Sequence, residues 1–416
     1  MQSTGVFASR ETPSPGRRTG IRFDRNECAG AFGDMATDIP LLIGVTLAAG
    51  LDGTSVLVMF GLMQILTGFL YRMPMPVQPL KAIAAIVIAQ KVPAPTLYGA
   101  GLAVGVAMLL LAATGLLDWL ASVVPKCVIR GIQFGLGLQL SSVALGKFIQ
   151  ADGLPGYFLA AGAFAIIVLL LGNRRFPAAI PVVLVGVVYA VIFKMDGGQL
   201  ARSFGLGLPV FRIPRPDAIL AGLLVLALPQ IPLSISNSVL ATRQLAEDLF
   251  PERRLTVRKI GMTYSLMNLV NPLFGGMPTC HGSGGMAGHF AFGGRTGGSV
   301  ILYGLMFLVL GLFFGKGFDQ ITKAFPLPML GVLLLFEGLA LVWLLRDTAR
   351  ARSEFSIALL VGLLAAGLPY GYVVALLVGT VLAHLGERAR LVSLDSAGRA
   401  DEGGGCRVAH GDTVGA

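Results

Sequence analysis

The chain has 416 residues, 55% of them hydrophobic and only 13% charged, with 56 Gly, 4 Cys and 4 His. A soluble protein carries roughly 25% charged residues, so about half of a solvated surface is missing, and collagen-like, disordered and disulfide-stapled classes are excluded along with ordinary cytosolic folds. The formal net charge of +10 comes from basic residues scattered among connections, which argues against a nucleic-acid module and for a polytopic helical membrane protein.

Residues 1–30 contain Arg, Ser, Thr and Pro without the apolar core of a cleavable signal, and are expected to form a cytoplasmic tail. From there the sequence predicts about 14 spans, at 31–50, 54–71, 79–90, 96–117, 126–145, 156–172, 178–194, 217–238, 257–274, 282–293, 298–315, 326–345, 354–367 and 371–386. Stretches such as 158–172 and 300–315 are apolar all round, which excludes the alternating pattern of a membrane barrel. The expected organisation is a first repeat over 31–194, an external loop over 195–216, a second repeat over 217–390 and a cytoplasmic tail over 391–416. With the amino terminus inside, 23 of the 32 basic residues fall on the cytoplasmic side and 8 outside, as the positive-inside rule requires; the remaining one, Lys81, lies within a span.

The first span carries Asp34 and Asp38 at i and i+4, on one helix face, with Thr37 between them. Intramembrane carboxylates are rare. Two roles stand for them: balancing Lys81 structurally, or accepting a co-transported ion such as a proton. The third span is too short to cross as a helix and begins in a Pro-rich break, YRMPMPVQPLKA (71–82). Lys81 sits in its first turn, where a cation opposes the helix dipole and where insertion at the bilayer centre costs about 2.5–3.5 kcal/mol. A bound dianion offsets that cost; so does pairing with Asp34, Asp38 or Glu337. Gln78, one step before Pro79, offers two N–H donors, either to an oxyanion or to the interrupted backbone.

The second half repeats this plan. FGGMPTCHGSGG (274–285) falls opposite 71–82, Gln230-Ile231-Pro232 opposite Asp38-Ile39-Pro40, and 326–331 opposite 125–131. Seven spans per half make the repeat inverted, with paired broken helices at spans 3 and 10. Non-helical backbone at that depth is tolerated only inside protein or beside a wet cavity. The two short helices are therefore expected to aim free N–H groups, beginning near Pro79 and Gly282, at a shared anion site. Thr279, Cys280, His281, Gly282 and Ser283 give that second start its hydroxyls and its close backbone approach. His281 is open to a proton-carrying role or to that of a neutral, satisfied histidine; Cys280 reads as a small buried residue. Gln230 is a further candidate cavity residue, and Glu337, whose repeat counterpart is Gly137, either faces the cavity or pairs with an Arg at the domain interface. Cys28, Cys127, Cys280 and Cys406 form no CxxC pair, so no metal or cofactor is expected. An intramembrane enzyme finds no motif here: HExxH, GxSxG and an acidic metal cluster are all missing from the sequence.

The segments MPMPVQPLKAIAA (73–85), FGGMPTCHGSGGMAGHFAFGGRTGG (274–298) and GAFGDMATDIPLLIG (30–44) resemble the molybdate transporter family, a branch of the sulfate permease superfamily. The family typically has Met where Leu80 stands, and a basic residue is common where Ala291 stands. The resemblance implies an all-α seven-plus-seven inverted-repeat fold shared with nucleobase and bicarbonate transporters. In it, a core of spans 1–4 and 8–11 moves against a gate of spans 5–7 and 12–14. Gln78, Lys81, Cys280, His281 and Gly282 fall on matching motif positions. It further implies secondary active transport of molybdate across the cell membrane, a coupling ion (H+ or Na+), a homodimer, and a short polar tail in place of the regulatory domain of most sulfate permeases. Sulfate transport on the same fold is the nearest alternative. A nucleobase symporter fits less well, because such sites want carboxylates where His281 and Gly282 sit.

Overall fold

The computed structural model describes residues 20–117, Trp119, 123–170, 178–195, Gly198 and 204–389. The tail at 391–416, most of that at 1–30 and the connections carrying Arg174, Arg175 and Arg202 lie outside these. The described chain is helical: α1 (Arg25–Gly30), α2 (Met35–Ala49), α3 (Gly53–Tyr71), α4 (Lys81–Gln90), α5 (Ala94–Thr114), α6 (Lys126–Val143), α7 (Gly153–Leu170), α8 (Ala179–Tyr189), α9 (Pro216–Gly222), α10 (Leu228–Leu233), α11 (Ala241–Leu249), α12 (Val257–Val270), α13 (Ser283–Ala291), α14 (Gly298–Ala324), α15 (Leu327–Trp343), α16 (Arg352–Gly367) and α17 (Gly371–Ala389). Among the described residues, 7 helical segments are long and apolar enough to cross a membrane, and shorter apolar helices occupy Thr37–Ala49, Lys81–Gln90, Ala179–Lys194 and Gly371–Leu385. The helices at 257–270, 283–291 and 352–367 fall at the other positions where spans are read from the sequence.

Local chemistry sets the ends of these elements. Asp52 accepts the N–H of Ser55 at the start of α3, and Thr256 accepts that of Lys259 at the start of α12. Gly50, with φ 69°, ends α2 in the left-handed conformation that suits glycine. The rod from Pro216 to Leu249 widens into π turns at Leu223–Ala227 and Ser234–Leu240, on either side of the Pro229-Gln230-Ile231-Pro232 run. The helix α14 kinks at Phe314 (φ −136°, ψ 20°), so it continues beyond the end expected from hydropathy.

Small residues decide which helices meet. A Cβ added to Gly61 of α3 or to Gly304 of α14 would lie 2.6 Å from the other's carbonyl oxygen, so the two helices touch backbone to backbone. Gly137 of α6 and Gly338 of α15 meet in the same way, at 2.6 and 2.9 Å. One assembly thus gathers α3 with α14 and α5 with α9 and α12; another gathers α6 with α15, α16 and α17.

The sequence reading contains no strand, yet the two breaks pair. Val77–Pro79 (β1) and Thr279–His281 (β2) form an antiparallel ribbon with Val77 opposite His281, Gln78 opposite Cys280 and Pro79 opposite Thr279. The helices α4 and α13 leave from opposite ends of this ribbon, which is the frame of the site.

Candidate functional site

Two amides hold the ribbon. Gln64 of α3 donates to the carbonyl of Val77 at 2.7 Å and accepts its N–H at 2.9 Å. Asn268 of α12 treats Thr279 the same way, donating to its carbonyl at 2.6 Å and accepting its N–H at 3.0 Å. Each side chain takes the place of a missing strand neighbour, satisfying backbone groups that a buried break would otherwise orphan. Asn271 adds a donor to the Thr279 hydroxyl at 3.0 Å. Neither Gln64 nor Asn268 stands out in the sequence by charge; a polar amide in an otherwise apolar span was the only signal available.

Gln230 caps α4. Its side-chain carbonyl accepts the N–H groups of Ala82 (3.1 Å) and Ile83 (3.2 Å), and its amide donates to Ser234 at 2.9 Å. The helix start expected to carry free N–H groups is therefore largely satisfied. At the start of α13, by contrast, no side-chain cap is present among the described residues, and a Cβ on Gly284 would meet open space. Ser283 is half-buried and Gly284 exposed.

His281 and Thr279 are committed inward. The Nε2 of His281 shares a hydrogen bond of 2.8 Å with the Thr263 hydroxyl, which is itself 2.5 Å from the Tyr71 hydroxyl; Nδ1 faces the Pro76 carbonyl at 3.4 Å. Cys280 and Pro79 are buried in the ribbon. Gly282 lies against Gln78, whose carbonyl oxygen a Cβ there would strike.

The charged part of the site lies on the other side of Gln78. Gln78 donates to Asp34 Oδ1 at 2.6 Å, and Tyr303 donates to Asp38 Oδ2 at 3.1 Å. The second oxygen of each carboxylate, Asp34 Oδ2 and Asp38 Oδ1, is buried without a hydrogen-bond partner. Asp34 Oδ2 abuts Gly285 in the first turn of α13, the positive end of that helix. Lys81 is exposed, and no carboxylate oxygen lies within the 4.0 Å of an ion pair among the described residues. Glu337, on α15, is partly buried. Thr37 is half-buried one turn from Asp34. The arrangement is an open cation at the start of α4 at one end of the ribbon and the start of α13 at the other, with the buried carboxylates of Asp34 and Asp38 joined to the ribbon through Gln78.

The ribbon between two short helices, framed by long apolar helices, belongs to a helical membrane-protein fold found in solved structures. The transmembrane domain of a cyanobacterium bicarbonate transporter, BicA, superposes with a TM-score of 0.63 at 17% identity, over 86% of this chain and 97% of that one. The overall structure of SLC26A9 gives 0.66 at 15% identity, over 86% and 64%.

The chain belongs to the molybdate transporter family. Residues 26–140 and 222–341 match the family described as "Molybdate transporter of MFS superfamily". Molybdate transporter 1 of Arabidopsis thaliana is 35% identical over 401 residues, covering 83% of this chain and 88% of that one. Molybdate transporter 2 of the same plant is 34% identical over 379 residues, covering 79% and 81%. Despite the superfamily in the family's description, the fold is the one shared with BicA and SLC26A9.

Proposed function

We propose that the chain is a secondary active transporter of molybdate, with the oxyanion held at the ribbon between the starts of α4 and α13. The observation that carries this reading is Lys81, an exposed cation at the start of α4 that has no ion-pair partner among the described residues; at the other end of the ribbon the start of α13 has no side-chain cap among them. A tetrahedral dianion meets both needs, and the relatives at 35% and 34% identity are named as molybdate transporters. Gln78, Lys81 and Ser283 are the side chains in reach of such an ion.

The charge balance calls for a companion. With Asp34, Asp38 and Glu337 all ionised against Lys81, the site is formally negative and repels a dianion. A proton or a sodium ion taken up at the Asp34–Asp38 face removes that repulsion, so the oxyanion and the cation travel together. The wider frame of this reading is a chain crossing the cell membrane 14 times as two inverted repeats. Its core carries the ribbon, its gate carries Glu337, and both termini are cytoplasmic. Purified protein in liposomes should accumulate labelled molybdate above empty vesicles. Uptake equal to that of empty vesicles refutes the reading, and stronger inhibition by sulfate than by unlabelled molybdate reassigns the substrate to sulfate on the same fold.

A further inference from the structure

Away from the ribbon, the end of α15 and the start of α6 enclose a crevice of about 440 Å³ lined by Lys126, Arg346, Asp347 and Arg350. Its one acid is already engaged: Arg130 donates to Asp347 Oδ2 at 2.5 Å, and Lys126 Nζ lies 3.9 Å from the same oxygen. The Arg130 side chain is mostly buried at 15% exposure, whereas that of Lys126 is 67% exposed. The surplus is therefore three cations, Lys126, Arg346 and Arg350, lining one small space. Like charges gathered this closely repel one another unless an anion sits among them.

The surroundings say where that anion comes from. Leu339 and Trp343, one helical turn apart on α15, are 52% and 60% exposed, and the Arg346 guanidinium lies over the Trp343 ring at 5.2 Å from its centroid. Along the end of α15 and the turn that follows it (Leu344–Thr348), the chain thus presents an apolar side chain, then an indole, then a cation, then the crevice. This is the order in which a phospholipid presents its acyl chain, glycerol and phosphate. We propose that the crevice binds the headgroup phosphate of an anionic phospholipid, with the acyl chain along Leu339 and Trp343. The phosphate is held by Arg346 and Arg350 with Lys126 at the rim, and Asp347 fixes the rim by tying Arg130 and Lys126 to the end of α15. The site is separate from the ribbon and does not depend on which ion the ribbon carries.

The test measures phosphatidylglycerol retained by the purified full chain after exchange from phosphatidylcholine vesicles doped with it, by native mass spectrometry. Arg346→Ala and Arg350→Ala should each lower retention about fivefold and the double variant more, as expected for cations near a charged lipid surface. Arg215→Ala, which removes an exposed cation elsewhere, should leave retention unchanged. Equal retention by the wild type and the double variant overturns the proposal, and so does an equal loss in Arg215→Ala. Displacement of the lipid by inorganic phosphate as complete as by soluble short-chain phosphatidylglycerol overturns the lipid assignment in favour of a free oxyanion. If the double variant does not fold, Lys126→Gln, at the exposed rim, is read in the same way.

Discussion

Gln78 donates to Asp34 across 2.6 Å, tying the residue that precedes α2 to the break that precedes α4. This contact joins the ribbon to the buried carboxylates. The amide faces both a fixed carboxylate and the approach of Gly282, so its freedom to turn toward a ligand depends on what Asp34 carries.

Lys81→Met removes the positive charge at the start of α4 while keeping roughly the length of the side chain. Losing one charge-assisted contact of about 1.5–3 kcal/mol weakens molybdate binding roughly 10- to 100-fold. Thermal stability should stay within about 0.5 kcal/mol of wild type, since the residue is exposed and unpaired. Titration calorimetry with a melting curve separates the two; unchanged affinity returns Lys81 to a structural role.

Asp34→Asn keeps an acceptor for Gln78 but can no longer change charge. Uptake by this variant should no longer respond to an imposed pH or sodium gradient, while exchange of molybdate at equal concentrations across the membrane persists. Gradient-driven uptake at wild-type levels would place coupling elsewhere.

Gln230→Leu leaves the N–H groups of Ala82 and Ile83 without their acceptor. Orphaned buried donors cost about 1–3 kcal/mol each, so the melting temperature should fall even though no charge is touched. Gln230→Glu retains an acceptor and adds a negative charge at the positive end of α4. It should restore much of the stability and abolish oxyanion binding.

Two neighbouring glycines should part company. Gly282→Ala drives a methyl group into the Gln78 carbonyl, whereas Gly284→Ala places one in open space. Transport should be lost in the first. In the second it should be retained, or reduced through a weaker oxyanion affinity. Equal behaviour of the two in uptake assays would contradict the packing of Gln78 on the ribbon.

The non-helical backbone at 72–80 and 275–282 was legible because Pro and Gly interrupt long apolar runs, and Lys81 stands out because so few charges occur in the apolar part of the sequence. The ribbon was not, since three-residue strands containing Pro79 carry no period-two pattern. Gln64, Asn268 and the capping role of Gln230 were also hidden: an uncharged amide in a span gives no hint of which backbone group, 13, 11 or 148 positions away, it will serve. The segment read as tail hides a similar contact. Asp24 caps α1, and the buried carboxylate of Glu27 accepts the N–H groups of Arg295, Thr296 and Ser299 ahead of and within the first turn of α14. Its partners lie more than 250 positions on, beyond the reach of local pattern.

The ribbon also bears on how the protein is made. Pro76 and His281 meet across 205 positions of chain, so the first break leaves the ribosome long before its partner strand exists. Until then Gln64 serves Val77 alone, and the start of α4 waits for Gln230. Contacts of such high sequence separation form late, and the site should therefore be among the last parts of the molecule to close. A chain arrested before residue 279 would insert its early helices yet hold an unfinished break, a species for quality-control machinery to recognise.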